Sequence, residues 1–305
     1  MHYLRTTNRI ICLIAALIPL IASAGRGEVP VSHGDTLRYT DIGQGTPVIF
    51  IHGHSLDSRM WHTQMQVLSR YCRTIAVDCR GYGRSSLPRE HCPFTHAADI
   101  VTLMDSLHLP QAHFVGLSMG GFITADIIAM YPHRVISAIL ASGNLRKSKG
   151  PSQPLTFAEV IQKRREALRI RHTGVDAMKS QWTRSLLSSA GSQRMSLQRE
   201  LAPMIADWKA WQPLHLEPRV IVGLDARKRL MDTPPQWRPQ MPVLIVEGAS
   251  QTNRRNLSPE IMQYLADAKA VEIPDCGHML SMERPFAFNL LLLRFLKPYL
   301  DFTQP

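Results

Sequence analysis

Three short stretches of this chain carry residue types that do chemistry together: G-L-S-M-G at 116–120, H-G-H-S at 52–55, and G-H-M-L at 277–280. In the first, apolar His113–Val115 reads as a short buried strand and Gly120–Met130 as the helix that follows. A strand that turns sharply into a helix leaves the middle residue exposed at the tip, so Ser118 reads as a nucleophile at an elbow. Gly116 and Gly120 suit a turn too tight for side chains. A serine hydroxyl needs a base, and His278, on a loop after the last strand, can supply it in the chain order Ser…His. The stretch "FIHGHSLDSRMW" (50–61) places a His-Gly turn directly after a strand. There the backbone N–H of His54, with that of Met119, can form an oxyanion hole, two donors aimed at a developing negative charge. Taken singly, His52 and His54 are ordinary turn residues, and an isolated His278 is more often structural. The combination in this order is the signal.

These residues need a scaffold that brings strand ends together. The segments "TPVIFIHG" (46–53), "RTIAVDCRGYGRS" (73–85), 113–117, "VISAILASG" (135–143), "MPVLIVEG" (241–248) and "KAVEIPDCGH" (269–278) read as strands. Helical spacing intervenes, as at Ala97–Leu107. Near-continuous apolar strands separated by helices imply a mostly parallel central sheet flanked by helices on both faces, an α/β fold. "VSHGDTLRYTDIG" (31–43) reads as an antiparallel hairpin arm ahead of the sheet. Between Leu145 and Pro239 the strands stop and polar, basic helices take over. Thr156 with Glu159 is a capping box that starts a helix to about Arg171. We expect a core over about 25–144 and 240–305, with an inserted helical cap over about 145–239.

The chain of 305 residues is 45% hydrophobic and 19% charged, an ordinary globular balance. Its N-terminus differs. Arg5 and Arg9 precede the apolar run "IICLIAALIPLIASA", which ends in Ala22-Ser23-Ala24. Those are the three parts of a secretory signal peptide, so residues 1–24 read as a leader cleaved before Gly25, and the mature protein as exported. The run is short for a membrane span and Pro19 interrupts it. Cleavage removes two of the 35 basic residues and none of the 24 acidic ones, lowering the net charge from +11 to +9. The excess concentrates in 162–172 and 225–230. It allows a weak attraction to anionic surfaces, although a solvated helix face accounts for it equally well. No nucleic-acid motif accompanies it. Cys72, Cys79, Cys92 and Cys276 follow the leader; an even count permits disulfides without fixing a pairing. No metal-ligand spacing is present, and no cofactor is expected. The expected partner is a small-molecule substrate.

The quoted motifs "HGHSLDSRMW", "VDCRGYGRSS", "GLSMGG" and "GHMLSMERP" resemble those of the α/β-hydrolase fold family. The nearest branch holds small esterases, perhydrolase/haloperoxidase-type enzymes and carbon–carbon bond hydrolases. The resemblance covers the mature chain apart from 145–239. It implies that Ser118 is the nucleophile, His278 the base, and the N–H groups of His54 and Met119 the oxyanion hole. Serine at the nucleophile position argues against epoxide hydrolase or haloalkane dehalogenase chemistry. Substrate does not follow from the fold.

One feature departs from the family pattern. It calls for Asp about three residues beyond the glycine that ends the strand at 241–248. Here "EGASQTNRR" puts Gln251 there with Asn253 nearby, and the alternative site after 135–143 offers Asn144. The triad acid is therefore unassigned. Glu247 is the first substitute by position, with Asp225 and Asp232 more remote. Two readings follow: an exported serine hydrolase acting on a carboxylic ester or related carbonyl compound, or a weak or inactive hydrolase-fold binding protein.

Overall fold

The computed structural model describes residues 25–89, 92–143, 156–214, 226–250 and 262–300. The expected leader at 1–24, Asn144, Asp225, Gln251 and Asn253 lie outside the described residues.

Eight strands form one sheet: β1 (Gly25–Pro30), β2 (Thr36–Ile42), β3 (Pro47–Ile51), β4 (Arg73–Asp78), β5 (Ala112–Leu117), β6 (Val135–Ala141), β7 (Pro242–Gly248) and β8 (Asp267–Ile273). Their order across the sheet is β1-β2-β4-β3-β5-β6-β7-β8. From β4 to β8 every pairing is parallel; β1 and β2 run antiparallel at one edge. The hairpin expected over 31–43 is shifted: its strands are β1 and β2, and Ser32–Gly34 is the turn between them. The last strand is also earlier than expected. β8 ends at Ile273, because Pro274 has no N–H to extend a ladder.

The central strands are apolar on both sides, and alternate residues face opposite layers. Ile49 and Ile51 of β3 pack toward α2 (His96–Ser106) and α3 (Met119–Met130), against Ile100, Leu103, Ile123 and Ile127. Val48 and Phe50 pack the other way, toward α1 (His62–Leu68) and the last helix (Pro285–Leu296), against Leu68, Phe288 and Leu292.

Between β6 and β7 lie α4 (Phe157–Thr173), α5 (Val175–Ser188), α6 (Arg194–Asp207), α7 (Trp211–Leu214) and α8 (Ala226–Asp232). The capping box of α4 is formed: Thr156 N–H donates to Glu159 Oε2 at 2.8 Å and Glu159 N–H to Thr156 Oγ1 at 3.3 Å. Leu186, Leu187, Leu197, Leu201, Met204 and Ile205 of α5 and α6 continue the core on the α1 side. The four described cysteines are unpaired thiols. Among the described residues no helix is long and apolar enough to cross a membrane, and no cluster of His, Cys, Asp or Glu could hold a metal ion.

One consequence of the strand order positions the site. The chain passes from β3 outward to β4, then returns to β5 on the other side of β3. β3 and β5 are therefore the neighbours at which the winding reverses. Ligands bind at such a switch point, outside the carboxyl ends of the strands. Those ends deliver His52–His54 and Ser118.

Candidate active site

Ser118 follows β5 directly and precedes α3, with φ 54° and ψ −110°. Such a backbone costs a non-glycine residue about 1–3 kcal/mol, and it persists only where its surroundings over-determine it. Here they do. Ser118 N–H donates to the Ala141 carbonyl at 2.8 Å, extending the β5–β6 ladder by one bond, and its own carbonyl accepts from Phe122 N–H at 3.1 Å. The turn also brings α3 hard against the sheet. A Cβ on Gly120 would stand 2.0 Å from the Ile51 carbonyl oxygen, and one on Gly116 2.1 Å from that of Gly120. Only glycine fits at either position.

Met119 opens α3, so its N–H has no acceptor within the helix. It stands at the positive end of the helix dipole, where an anionic oxygen is favoured. His54 enters from β3. The ring of His52, fully buried beside it, ties that turn to the next strand: Nε2 accepts from Cys79 N–H at 3.0 Å, so Nδ1 carries the proton and donates to the Gly53 carbonyl at 2.8 Å. Burial lowers the pKa of His52, which keeps this tautomer uncharged.

Ser118, Met119, His54 and His278 line one cavity of about 280 Å³, together with Gly53, Leu56, Leu117, Phe122, Trp182, Leu186, Gln212 and Met279. Burial lowers the His278 pKa to about 4, so its ring is neutral and able to accept a proton at physiological pH. Most of the lining is apolar, and among the described lining residues there is no Lys or Arg. The exposed Arg164, Arg165, Arg169 and Arg171 belong to α4, away from this cavity; Arg165 and Arg169 line a separate groove on that helix, where Arg169 pairs with Glu166 at 2.6 Å.

The inserted helices close the far side. Trp182 of α5 donates through Nε1 to Ser55 Oγ at 2.7 Å. Tyr82, in the turn after β4, donates to Gln212 Oε1 of α7 at 2.8 Å, so its oxygen accepts from His54 Nδ1–H, also at 2.8 Å. The His54 ring meets Trp182, Trp208 and Tyr82 edge-on, with centroids 5.6, 5.0 and 5.8 Å away. Tyr82 and Gln212 carry no signal in the sequence, being 130 positions apart.

The two described substitutes for the triad acid do not hydrogen-bond His278. The Glu247 carboxylate is buried, and neither oxygen has a hydrogen-bond partner. As the residue after Val246 in β7, it shares a sheet face with Val243 and Ile245, the α3 face. Burial, with Glu272 on the neighbouring strand, raises its pKa to about 7. Asp232 instead pairs with Lys228 on the exposed face of α8. Glu283 is a buried carboxylate that sequence reasoning passed over. It lies on the one-turn helix Leu280–Glu283 and accepts from the N–H groups on either side of His278. The only trace of it in the sequence was the Glu five residues after the histidine in "GHMLSMERP".

The profile of the alpha/beta hydrolase family matches residues 48–289, spanning every strand from β3 to β8. This chain belongs to the alpha/beta hydrolase family. Within it, the chain is 30% identical over 266 residues to BpoC of Mycobacterium tuberculosis, which carries a provisional non-heme bromoperoxidase name; the match covers 85% of this chain and 97% of that protein. It is 24% identical over 250 residues to 3-oxoadipate enol-lactonase 1 of Acinetobacter baylyi, covering 82% of this chain and 88% of the lactonase. Among solved structures it is similar to a bromoperoxidase from Bacillus anthracis, with TM-score 0.69 and 25% identity over 90% of this chain and all of the other. A thermophilic esterase from Thermogutta terrifontis shares the fold, with TM-score 0.68 and 23% identity over 91% of this chain and all of the esterase. These relatives support a hydrolase.

Proposed function

We propose that this hydrolase is an exported serine esterase or lactonase acting on a small, uncharged carbonyl compound. The observation that carries the reading is the elbow: Ser118 sits on a strained turn and lines the same cavity as His278, beside the first N–H of α3, which has no acceptor within the helix. In the reaction the Ser118 hydroxyl adds to the substrate carbonyl carbon while the His278 ring takes its proton. The charge that develops on the carbonyl oxygen meets the N–H groups of Met119 and His54. The tetrahedral adduct collapses, breaking the bond to the leaving oxygen, which receives the proton from His278. Water then adds to the acyl-serine by the same route and releases the acid.

The cavity supports the substrate class. About 280 Å³ lies at the small end of ligand sites and suits a compact acyl group. Leu56, Leu117, Phe122, Leu186 and Met279 favour an apolar body. Among the described residues lining the cavity there is no Lys or Arg to offset the lost hydration of a charged group. Attraction to anionic surfaces is proposed separately, resting on the exposed arginines of α4. Export rests on the N-terminal pattern alone, Arg5 and Arg9 ahead of an apolar run that ends in Ala22-Ser23-Ala24.

One observation favours the rival reading of a weak or inactive binding protein: neither Glu247 nor Asp232 orients His278. Hydrolysis of short-chain aryl esters separates the two. Activity that disappears in Ser118→Ala and in His278→Ala, with both variants folded, supports the hydrolase. Equal rates in parent and Ser118→Ala contradict it.

A further inference from the structure

The His278 loop is held by a carboxylate that takes no part in the chemistry just described. Glu283 is 1% exposed and pairs with no cation among the described residues. Its Oε2 accepts from Gly277 N–H at 2.8 Å and its Oε1 from Met279 N–H at 2.9 Å. Those two peptides flank His278, so its Cα is pinned from both sides. The third donor comes from elsewhere: Gly191 N–H, in the turn between α5 and α6, reaches Glu283 Oε2 at 3.1 Å. Hydrogen bonds to a carboxylate are roughly twice as strong as those between neutral groups, and three of them satisfy a charge that burial would otherwise make costly.

A second set of contacts fastens the same two segments. Asp275 accepts from Ser192 N–H at 3.1 Å and from Ser192 Oγ at 2.7 Å. Arg284 pairs with the Asp275 carboxylate, donates through Nε to the Asp275 carbonyl at 2.8 Å, and reaches Ser192 Oγ at 3.0 Å. The backbones touch as well. A Cβ on Gly277 would lie 2.2 Å from the Ser189 carbonyl oxygen, and one on Gly191 2.3 Å from that of Asp275. The turn of the inserted helices and the histidine loop therefore form one interlocked unit.

We propose that Glu283 is a positioning residue through which the seating of the inserted helices on the 189–192 turn sets the placement of His278. This rests on the serine-hydrolase reading. Without the turn, the carboxylate loses one donor and the loop loses the backbone it packs on. Without the carboxylate, the two peptides flanking His278 lose their common anchor and the base drifts from Ser118.

The test is the rate of covalent labelling by a fluorophosphonate probe, resolved into rate constant and final amplitude. Glu283→Gln puts an NH₂ group where at least one N–H now points. The account predicts a rate constant at least tenfold lower, with the amplitude per folded molecule unchanged. On esters kcat falls while KM stays near the parental value. Glu283→Asp, which keeps the charge, recovers part of the rate. A merely structural role would lower the amplitude and leave the rate constant alone. Gly191→Ala provides the second arm, since its Cβ forces the turn off Asp275 without altering the carboxylate. It too should slow labelling, about fivefold or more. A parental rate in either Glu283→Gln or Gly191→Ala overturns the coupling. A parent that is not labelled at all removes the serine-hydrolase reading, and this inference with it.

Discussion

The Tyr82 hydroxyl donates to Gln212 Oε1 at 2.8 Å, joining the turn after β4 to an inserted helix across 130 positions of sequence. The same hydroxyl accepts from His54 Nδ1–H, so one oxygen links the cavity's far wall to the residue whose backbone N–H is the proposed oxyanion donor. Tyr82→Phe leaves both partners without their bond in a buried site, a loss of about 1–3 kcal/mol. We expect kcat/KM for small esters to fall about tenfold, equivalent to about 1.4 kcal/mol. Gln212→Leu keeps the His54–Tyr82 bond and should raise KM about fivefold with kcat little changed. Steady-state kinetics of both variants check this; equal effects on kcat and KM in the two would remove the distinction.

The pH profile follows from the state of His278. Its ring accepts a proton only when neutral, and burial lowers its pKa to about 4. Activity is therefore lost as pH falls through that value, and kcat/KM, which reports the free enzyme, should reach half its plateau near pH 4. A midpoint near the ordinary histidine value would mean that a charge stabilises the imidazolium in the folded enzyme.

Glu247 yields a stability prediction. Its folded pKa of about 7 lies above the ordinary carboxylate value, so the unfolded chain ionises first as pH rises. Stability is then lost progressively between about pH 4.5 and 7 and stays low above that. Glu247→Gln removes the loss. It should raise the unfolding free energy by about 3 kcal/mol at pH 8 and change little at pH 4. Urea unfolding at the two pH values checks it. Parental ester activity should remain, because Glu247 does not hydrogen-bond His278; an inactive Glu247→Gln would make it the relocated triad acid.

The elements that place Ser118 were legible because their signals are local. Continuous apolar runs ending in glycine identified β3, β5 and β7, and the two glycines around Ser118 identified a turn that only glycine fits. The capping box at Thr156 and Glu159 fixed the start of α4. What escaped was long-range or made by the backbone. Glu283 works by accepting peptide N–H groups, which every residue but proline offers, so its neighbours give no hint. Gln212 meets Tyr82 only because α7 folds over the strand ends. The hairpin is shifted from 31–43 because its buried residues, Val29 and Leu37, pair across the Ser32–Gly34 turn.

Gln251 stands where the family pattern calls for an aspartate. An amide can orient an imidazole but carries no charge against the imidazolium that forms during attack, and losing that charge from a serine triad costs about four orders of magnitude in turnover. Gln251→Asp should accordingly raise kcat tenfold or more, about 1.4 kcal/mol or more of transition-state stabilisation. It should also move the acidic limb of the pH profile upward, since a carboxylate favours the protonated ring. No gain in kcat and no movement of the limb would show that the histidine is oriented otherwise.

The central claim is that Ser118 is an activated nucleophile, and the most direct measurement is to locate the adduct left by a fluorophosphonate probe. The account predicts stoichiometric phosphonylation on the peptide carrying "GLSMGG", abolished in Ser118→Ala and strongly slowed in His278→Ala. Folded protein that stays unmodified, or that carries the adduct on another residue, would contradict it.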